Sequence, residues 1–351
     1  MGLKINELVN EVKRSIVFDN LFKKVISIDA FNTIYQFLAI IRQRDATPLK
    51  DYQENVTSHL SGLFYRSINF LEYNIKPVYV FDGISSDLKL DTIRARKKIK
   101  EEAQKKMVEA QDAEDFKEAK KYAQLTSKLD AGMIEESKKL IESMGIPIVQ
   151  ASSEGEAQSA YMVEVGDAWA CASQDYDTLL FGGERLLRNF AINRSKKVRD
   201  TKVTLDIEYV SLSKFLKNLE INREQLVEMG ILIGNDFYPG IKGVGQKTAL
   251  DLIKKYGSIE NILKNRIKVG SKEILLDLKL VEQVKKIFLF PDVKKDYNEP
   301  KFKKINFERI EELLIEEHNF SRQRVENALD RLRKLDSSKV QVSLDDFLKT
   351  S

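Results

Sequence analysis

Seven acidic residues, with no histidine among them, hold the chemistry that this chain could perform. Glu154 and Glu156 stand two apart in SEGEAQ, and Asp175 and Asp177 stand two apart in SQDYD. Asp29 closes the apolar run VISID, Asp82 closes VYVFD, and Asp236 ends GILIGND. Each has a plain alternative role as a strand-end or turn acid, and Ser153-x-x-Glu156 also reads as a helix capping box. Taken together they ask for more. Crowded carboxylates cannot all stay ionised unless cations or basic groups neutralise them. Oxygen-only ligands suit hard cations, and Mg²⁺ binds through a few carboxylates plus phosphate while keeping several waters. Two such ions about 4 Å apart clamp a scissile phosphate, activate water and stabilise the departing oxygen. The expected chemistry is phosphodiester hydrolysis.

Strands must deliver those acids. Residues 24–29, 77–83, 145–149 and 168–172 read as short buried strands, alternating with helices over about 33–44, 55–73 and 223–233. That alternation predicts an α/β fold with a central, twisted, mostly parallel sheet flanked by helices. In such sheets the ligand site lies outside the carboxyl ends of the strands, which is where the acids fall. The first twenty residues read as a helix, from the spacing of Leu3, Leu8, Val9 and Val12.

Between Asp82 and the third strand the chain is helix-forming and basic, with Lys89, Arg94, Arg96, Lys97, Lys98, Lys100, Lys105 and Lys106 close together. Weak apolar periodicity fits a solvated helix pair, or a basic arch over the metal site that handles a nucleic-acid strand. Lys89 and Arg96 are best placed to reach a scissile phosphate. After Asp236 comes PGIKGVGQKTA. It is not a Walker A loop, because Gln246 intervenes and a helix precedes it. Helix, glycine hairpin, helix is instead a grip on duplex backbone. Gly243 and Gly245 let the main chain approach a phosphate, and Lys247 adds charge. The tail octet QVSLDDFL sets Gln341 beside an apolar turn of Leu344, Phe347 and Leu348, which fits a docking peptide.

Composition narrows the alternatives. A chain of 351 residues with 42% hydrophobic content has ample core, and its net charge is only +4. A lone cysteine, Cys171, supplies neither a disulfide nor a cysteine zinc site, and two histidines make histidine-based zinc or Ser-His catalysis poor readings. No apolar run approaches a membrane span and no signal-peptide pattern opens the chain, so no membrane partner is expected.

The contexts SIDA, VFDG, SEGEAQ, SQDYD, GND and GIKGVGQKTA, with TIYQFLAIIRQ, TSHLSGLFYR and KPVYVFDG, resemble the XPG/flap endonuclease family along essentially the whole chain, and most closely its archaeal type. That resemblance implies a PIN/5′-nuclease-like fold with a helical arch and a helix-hairpin-helix DNA-binding element. It implies nuclease regions over 1–102 and 120–262, the arch over 85–137, the hairpin element over 223–255, a helical region over 263–335 and a flexible clamp-binding tail over 336–351. The implied activity is Mg²⁺-dependent cutting of 5′-flap DNA with 5′–3′ exonuclease action, leaving 5′-phosphate and 3′-hydroxyl ends, in replication and long-patch repair.

By the same resemblance Asp29, Asp82, Glu154 and Glu156 serve one part of a two-ion site, where Mn²⁺ also works. Asp175, Asp177 and Asp236 serve the other part. Lys89 and Arg96 polarise the phosphate, Tyr35 stacks on an unpaired nucleotide, and Arg42 and Arg66 contact duplex. Thr57 and Phe320 line a pocket for a one-nucleotide 3′ flap, with His318 where a lysine is more usual. Carbonyls near Gly240, Ile241 and Val244 hold K⁺. Gln341, Leu344, Phe347 and Leu348 dock on the sliding clamp (PCNA), the chain being otherwise a monomer in the cytoplasm or nucleoid of a prokaryote. Alternatives are another branch of the family that cuts bubbles or junctions, a catalytically idle clamp-bound scaffold, and a PIN-type ribonuclease.

Overall fold

The computed structural model describes residues 2–84, 86–191, 195–198, 201–204 and 206–349, with the side chains at 87, 90–97, 195–198, 201–204 and 336–349 outside the described set. In chain order the strands are β1 (Arg14–Ile16), β2 (Val25–Asp29), β3 (Lys76–Phe81), β4 (Ile148–Gln150), β5 (Ala170–Ala172), β6 (Arg185–Arg188), a separate hairpin of β7 (Ser195–Val198) and β8 (Thr201–Thr204), β9 (Ile207–Ser211), and a second small hairpin of β10 (Lys268–Val269) and β11 (Lys272–Glu273). The main sheet has the order β1-β9-β6-β5-β2-β3-β4. Strands β6, β5, β2, β3 and β4 run parallel, while β9 is antiparallel to β6 and β1 to β9. The expected mostly parallel α/β sheet is present, with an antiparallel edge.

Both faces of the parallel strands are covered, which explains their near-continuous apolar runs. Ile26, Ile28, Tyr79 and Phe81 pack with the helices Ala30–Ile40, Ser58–Glu72, Ala131–Ser143 and Arg322–Lys349. Val78, Val80 and Cys171 turn the other way, onto Met162 and Val163 of the helix Gly155–Glu164. Burial pushes the Cys171 thiol up, and it serves as a small apolar core residue.

The chain runs β2 to β3 to β4 on one side, then returns to lay β5 on the other flank of β2. The strand order therefore reverses between β2 and β5. A crevice opens outside the carboxyl ends of the strands at such a switch point. Asp29 ends β2, and Asp175 follows β5.

The N-terminal twenty residues depart from the single helix that their spacing suggests. A helix spans only Asn6–Val9, then β1 pairs with β9 and a 3₁₀ turn covers Phe18–Leu21. Leu3, Ile5, Leu8 and Val9 are buried in a second apolar cluster with the helices Arg223–Ile233, Gln246–Tyr256 and Leu278–Leu289. Tertiary burial decides that segment, and one helical turn is enough to satisfy the spacing. The expected helix over 33–44 ends at Ile40, because Ile41 is extended and the Arg42 guanidinium folds back onto the last turn.

Two helices, Leu90–Asp112 and Phe116–Ala123, rise between β3 and β4. They meet through Met107, Ala110, Ala119 and Ala123, with Ala46 of the loop over 41–57 packed against them. The terminal helix Arg322–Lys349 includes the stretch expected to lose fixed structure. The side chains of Gln341, Leu344, Phe347 and Leu348, for which the resemblance implies clamp docking, lie outside the described residues, as does the Arg96 side chain. Among the described residues, no helix is long and apolar enough to cross a membrane.

Candidate active site

Each acid is held by the element that delivers it. Asp29 ends β2 and caps the next helix, accepting from the Asn32 amide at 3.0 Å. The Asn32 side chain then donates to Asp175 at 3.0 Å, so one asparagine ties the two sides of the switch point together. Asp82, one residue past β3, accepts from the Gly155 amide at 2.7 Å. A neighbouring strand's acid thus sits at the N-terminus of the helix Gly155–Glu164, where free amides and the helix dipole favour negative charge. The expected Ser153 capping box does not form, since Glu154 is the N-cap and makes no side-chain cap bond. Gly155 permits the approach, because a Cβ there would lie 2.6 Å from the Asp82 carboxylate.

Glu156 points across to β5 and beyond, accepting from the Ser173 hydroxyl at 2.8 Å and the Thr178 hydroxyl at 3.0 Å. Asp177 opens a short helix and accepts from the Leu3 amide at 2.6 Å. The N-terminal main chain is therefore part of the site. A Cβ on Gly2 would fall 2.6 Å from the Asp175 carboxylate. Gly2→Ala is expected to push Asp175 aside and weaken Mg²⁺ activation about 10- to 100-fold, as loss of a ligand's support typically does. A Mg²⁺ titration of cleavage by the variant checks this, and an unchanged midpoint would count against it.

Lys89 supplies positive charge inside this ring. Its ammonium is paired with Glu154 and lies 5.0 Å from the Phe237 ring centroid. Burial works to discharge it, but Glu154, Asp236 and Asp82 outweigh that and its pKa is raised. The acids respond in the opposite sense. Burial, then Asp82, holds Asp29 well above the usual carboxylate range; burial, then Asp177, Asp29 and Asp175, does the same to Glu156. Burial and Glu154 push Asp82 up to about 6, and burial and Asp236 push Asp177 up to about 7. These couplings place all seven acids in one electrostatic neighbourhood.

Such a cluster fits hard cations. Its donors are all oxygen, its carboxyls resist ionisation when no cation is near, and the buried Glu154 Oε1 has no hydrogen-bond partner. Among the described residues no three acids are drawn into a ready-made cage around one ion. Mg²⁺ tolerates that, because it keeps waters and takes phosphate oxygens as ligands.

The outlying assignments divide. Tyr35 is 42% exposed on the helix Ala30–Ile40. Gly243 has φ +91°, Gly245 caps the helix Gln246–Tyr256, and Lys247 is exposed, its pairing with Glu7 at 3.0 Å solvated on both sides. Exposed pairs of that kind are weak, so a phosphate can displace Glu7. Gln246 anchors the hairpin by accepting from the Glu7 amide at 3.1 Å.

Arg66 does not present its guanidinium to a duplex. It is 8% exposed, donates to the Phe190 carbonyl and lies over Phe18 and Phe70. Arg42 is half-buried and donates to the carbonyls of Leu38 and Ala46 and to Ser127, so it braces the loop over 41–57 against the segment after the helix Phe116–Ala123. Thr57 is buried, Phe320 is half-buried on the core, and His318 is buried with its Nδ1 3.0 Å from Asp51. Ser173, Thr178, Asn32, Phe237 and the Leu3 amide escape a reading of the sequence alone. Ser173 and Thr178 flank the SQDYD acids closely enough to be suspected, whereas the amide has no residue-type signal.

Residues 1–103 match the XPG N-terminal domain, 145–236 the XPG I-region, and 221–295 the 5′-3′ exonuclease, C-terminal SAM fold. The chain is 49% identical to flap endonuclease 1 of Methanobrevibacter smithii over 99% of its own length and 100% of the relative's. It is 47% identical to that of Sulfolobus acidocaldarius over 95% of each. Its fold is similar to the solved flap endonuclease-1 of Methanococcus jannaschii, with a TM-score of 0.74 and 37% identity over 96% of this chain and 100% of that one. The chain belongs to the XPG/flap endonuclease family of metal-dependent, structure-specific nucleases.

Proposed function

We propose that this nuclease cuts 5′-flap DNA near the junction of single strand and duplex, and trims 5′ ends at nicks and gaps. Its products carry a 5′-phosphate and a 3′-hydroxyl, and it serves lagging-strand maturation and long-patch base excision repair. The observation that carries the reading is an all-carboxylate cluster, its members buried or half-buried, at the switch point of the sheet, with Lys89 charged inside it.

Asp29, Asp82, Glu154 and Glu156 hold one Mg²⁺, and Asp175, Asp177 and Asp236 the other, with Mn²⁺ as a substitute. When bound, the ions supply Lewis acidity at the phosphate and ease proton loss from the attacking water. The chain's own groups set the stage. Lys89 turns its ammonium toward the non-bridging oxygens of the scissile phosphate, and Arg96, two helical turns along Leu90–Asp112, adds a second charge. Asn32, Ser173, Thr178 and the Leu3 amide keep the carboxylates aimed. Tyr35 offers a ring to the first unpaired base, and Thr57 and Phe320 help form a 3′-nucleotide pocket. Gly243, Gly245 and Lys247 grip the duplex backbone, with K⁺ held by carbonyls near Gly240, Ile241 and Val244. Gln341, Leu344, Phe347 and Leu348 tether the chain to a sliding clamp.

A product map on end-labelled flap, bubble and four-way-junction DNA, with Mg²⁺ and with EDTA, tests the reading. Incision within a nucleotide or so of the flap junction is expected, with the bubble and the junction cut far more slowly and EDTA abolishing all cleavage. Equal cutting of all three substrates would overturn the subfamily assignment, and faster cutting of single-stranded RNA would favour a ribonuclease.

A further inference from the structure

A groove of about 710 Å³ opens beside the acid cluster, and none of the roles above uses it. Its walls come from three separate parts of the chain: the root of the arch, the turn from β4 into the helix Gly155–Glu164, and the end of the helix Leu278–Leu289. Ile84 is 85% exposed on the first wall and Phe290 is 76% exposed on the third. Ser152 and Ser153 line the middle, Lys286 stands exposed beside Phe290, and Glu154 closes the inner end. The walls are tied together, since Gly83 and Ile84 donate their amides to the carbonyls of Ser153 and Ser152 at 2.7 and 3.1 Å. The volume is that of a small-molecule site.

Large apolar side chains left this exposed along a groove call for an occupant. We infer that the groove seats the unpaired nucleotides of the 5′ strand next beyond the one that Tyr35 meets, with Phe290 and Ile84 against the bases and Lys286 on the backbone. The inference rests on the flap-cleaving function proposed above. Three observations favour a nucleic-acid strand over a peptide. Glu154 belongs both to the groove and to the acid cluster, so whatever fills the groove is continuous with the scissile phosphate. Aromatic rings beside a lysine hold single strands without reading sequence. The serine hydroxyls offer neutral donors where carboxylates would repel phosphate. Asp292 at the outer rim, with Glu224 and Glu282 lining the recess beyond Phe290, sets the limit, so the seat takes only the nucleotides nearest the junction.

The test uses the full chain with two DNAs, a 5′ flap carrying 2-aminopurine at its second or third unpaired position and a nicked duplex with no flap. Phe290→Ala is expected to raise KM for the flap about tenfold, the loss of one base–aromatic stack, with kcat within about twofold. It should relieve the 2-aminopurine quenching seen in Ca²⁺, leave the nicked substrate unaffected, and be rescued by Phe290→Trp. Leu275→Ala, which removes an exposed side chain outside the groove, is the control. Unchanged quenching and KM in Phe290→Ala would overturn the inference, as would an equal loss on flap and nick or a failure of tryptophan to rescue. Should the wild-type chain fail to cut the flap, it is the functional reading that falls. A wild type that cuts and a Phe290→Ala that matches it sink the groove alone.

Discussion

Asp177→Asn is expected to lower flap cleavage by at least about 10³-fold while leaving flap binding intact or slightly tighter. The asparagine keeps an oxygen where the Leu3 amide donates at 2.6 Å, so the N-terminal main chain stays anchored and the variant folds. What disappears is one negative charge from a site facing the scissile phosphate. Losing a preorganised electrostatic contact alone costs about 10²–10³ in kcat, and losing a cation's ligand adds to that. Binding follows the opposite sign, because the cluster repels DNA phosphates when no cation is present. Single-turnover cleavage in Mg²⁺ and gel-shift affinity in EDTA read the two effects separately. Cleavage within about tenfold of wild type would remove Asp177 from the metal site.

The second large effect is on stability. Asp82 and Asp177 have an ordinary value of 3.8 and are raised in the fold to about 6 and about 7. Between pH 4 and pH 7 the unfolded chain has therefore released protons that the folded chain retains. Stability falls with rising pH wherever the unfolded state binds fewer protons. The contribution of these two carboxyls to the metal-free protein is thus full below about pH 4, and it is lost as pH climbs through 6 and 7.

Mg²⁺ binds the ionised cluster and reverses the loss. At about 100 times its dissociation constant it adds about 2.7 kcal/mol, or roughly 5 °C in Tm for a chain of this size. The expected result is a Mg²⁺-induced rise in Tm that is large at pH 8, small at pH 5 and erased by EDTA. Other groups also titrate over this range, so the informative quantity is wild type minus Asp177→Asn. In the metal-free state the variant should gain on wild type as pH rises. Parallel curves for the two proteins, or equal Mg²⁺ shifts at pH 5 and pH 8, would contradict the buried-cluster account.

Much of the site was legible before the fold. A buried strand releases its first charged residue at its end, so Asp29 after VISI and Asp82 after VYVF announce both the strand and the place where ligands collect. The helix Arg223–Ile233, the hairpin glycines and the helix from Gln246 were likewise local, because caps and positive-φ glycines are chosen residue by residue. The tail octet and Arg96 were equally plain as motifs, and their side chains lie outside the described residues.

Where the structure departs from the sequence reading, contacts between distant residues are the cause. The resemblance implies duplex contacts for Arg42 and Arg66, and a guanidinium that meets carbonyls and aromatic faces reads the same in one dimension. Ser153 matched a capping box, but the acid that meets that helix, Asp82, comes from another strand.

By itself, then, the sequence determined the donor chemistry, oxygen without nitrogen or sulfur, along with the strands that end in acids and the glycine hairpin between two helices. These follow from side-chain type and from spacing within a few residues. Only the tertiary structure decided that β5 lies beside β2, so that Asp175 and Asp177 face Asp29 across the switch point. It also decided that the Leu3 amide reaches Asp177, and that Lys89 is held between Glu154 and Phe237. Strand order and main-chain donors belong to contacts between residues far apart in the chain. A backbone N–H has no residue identity through which a sequence could show it.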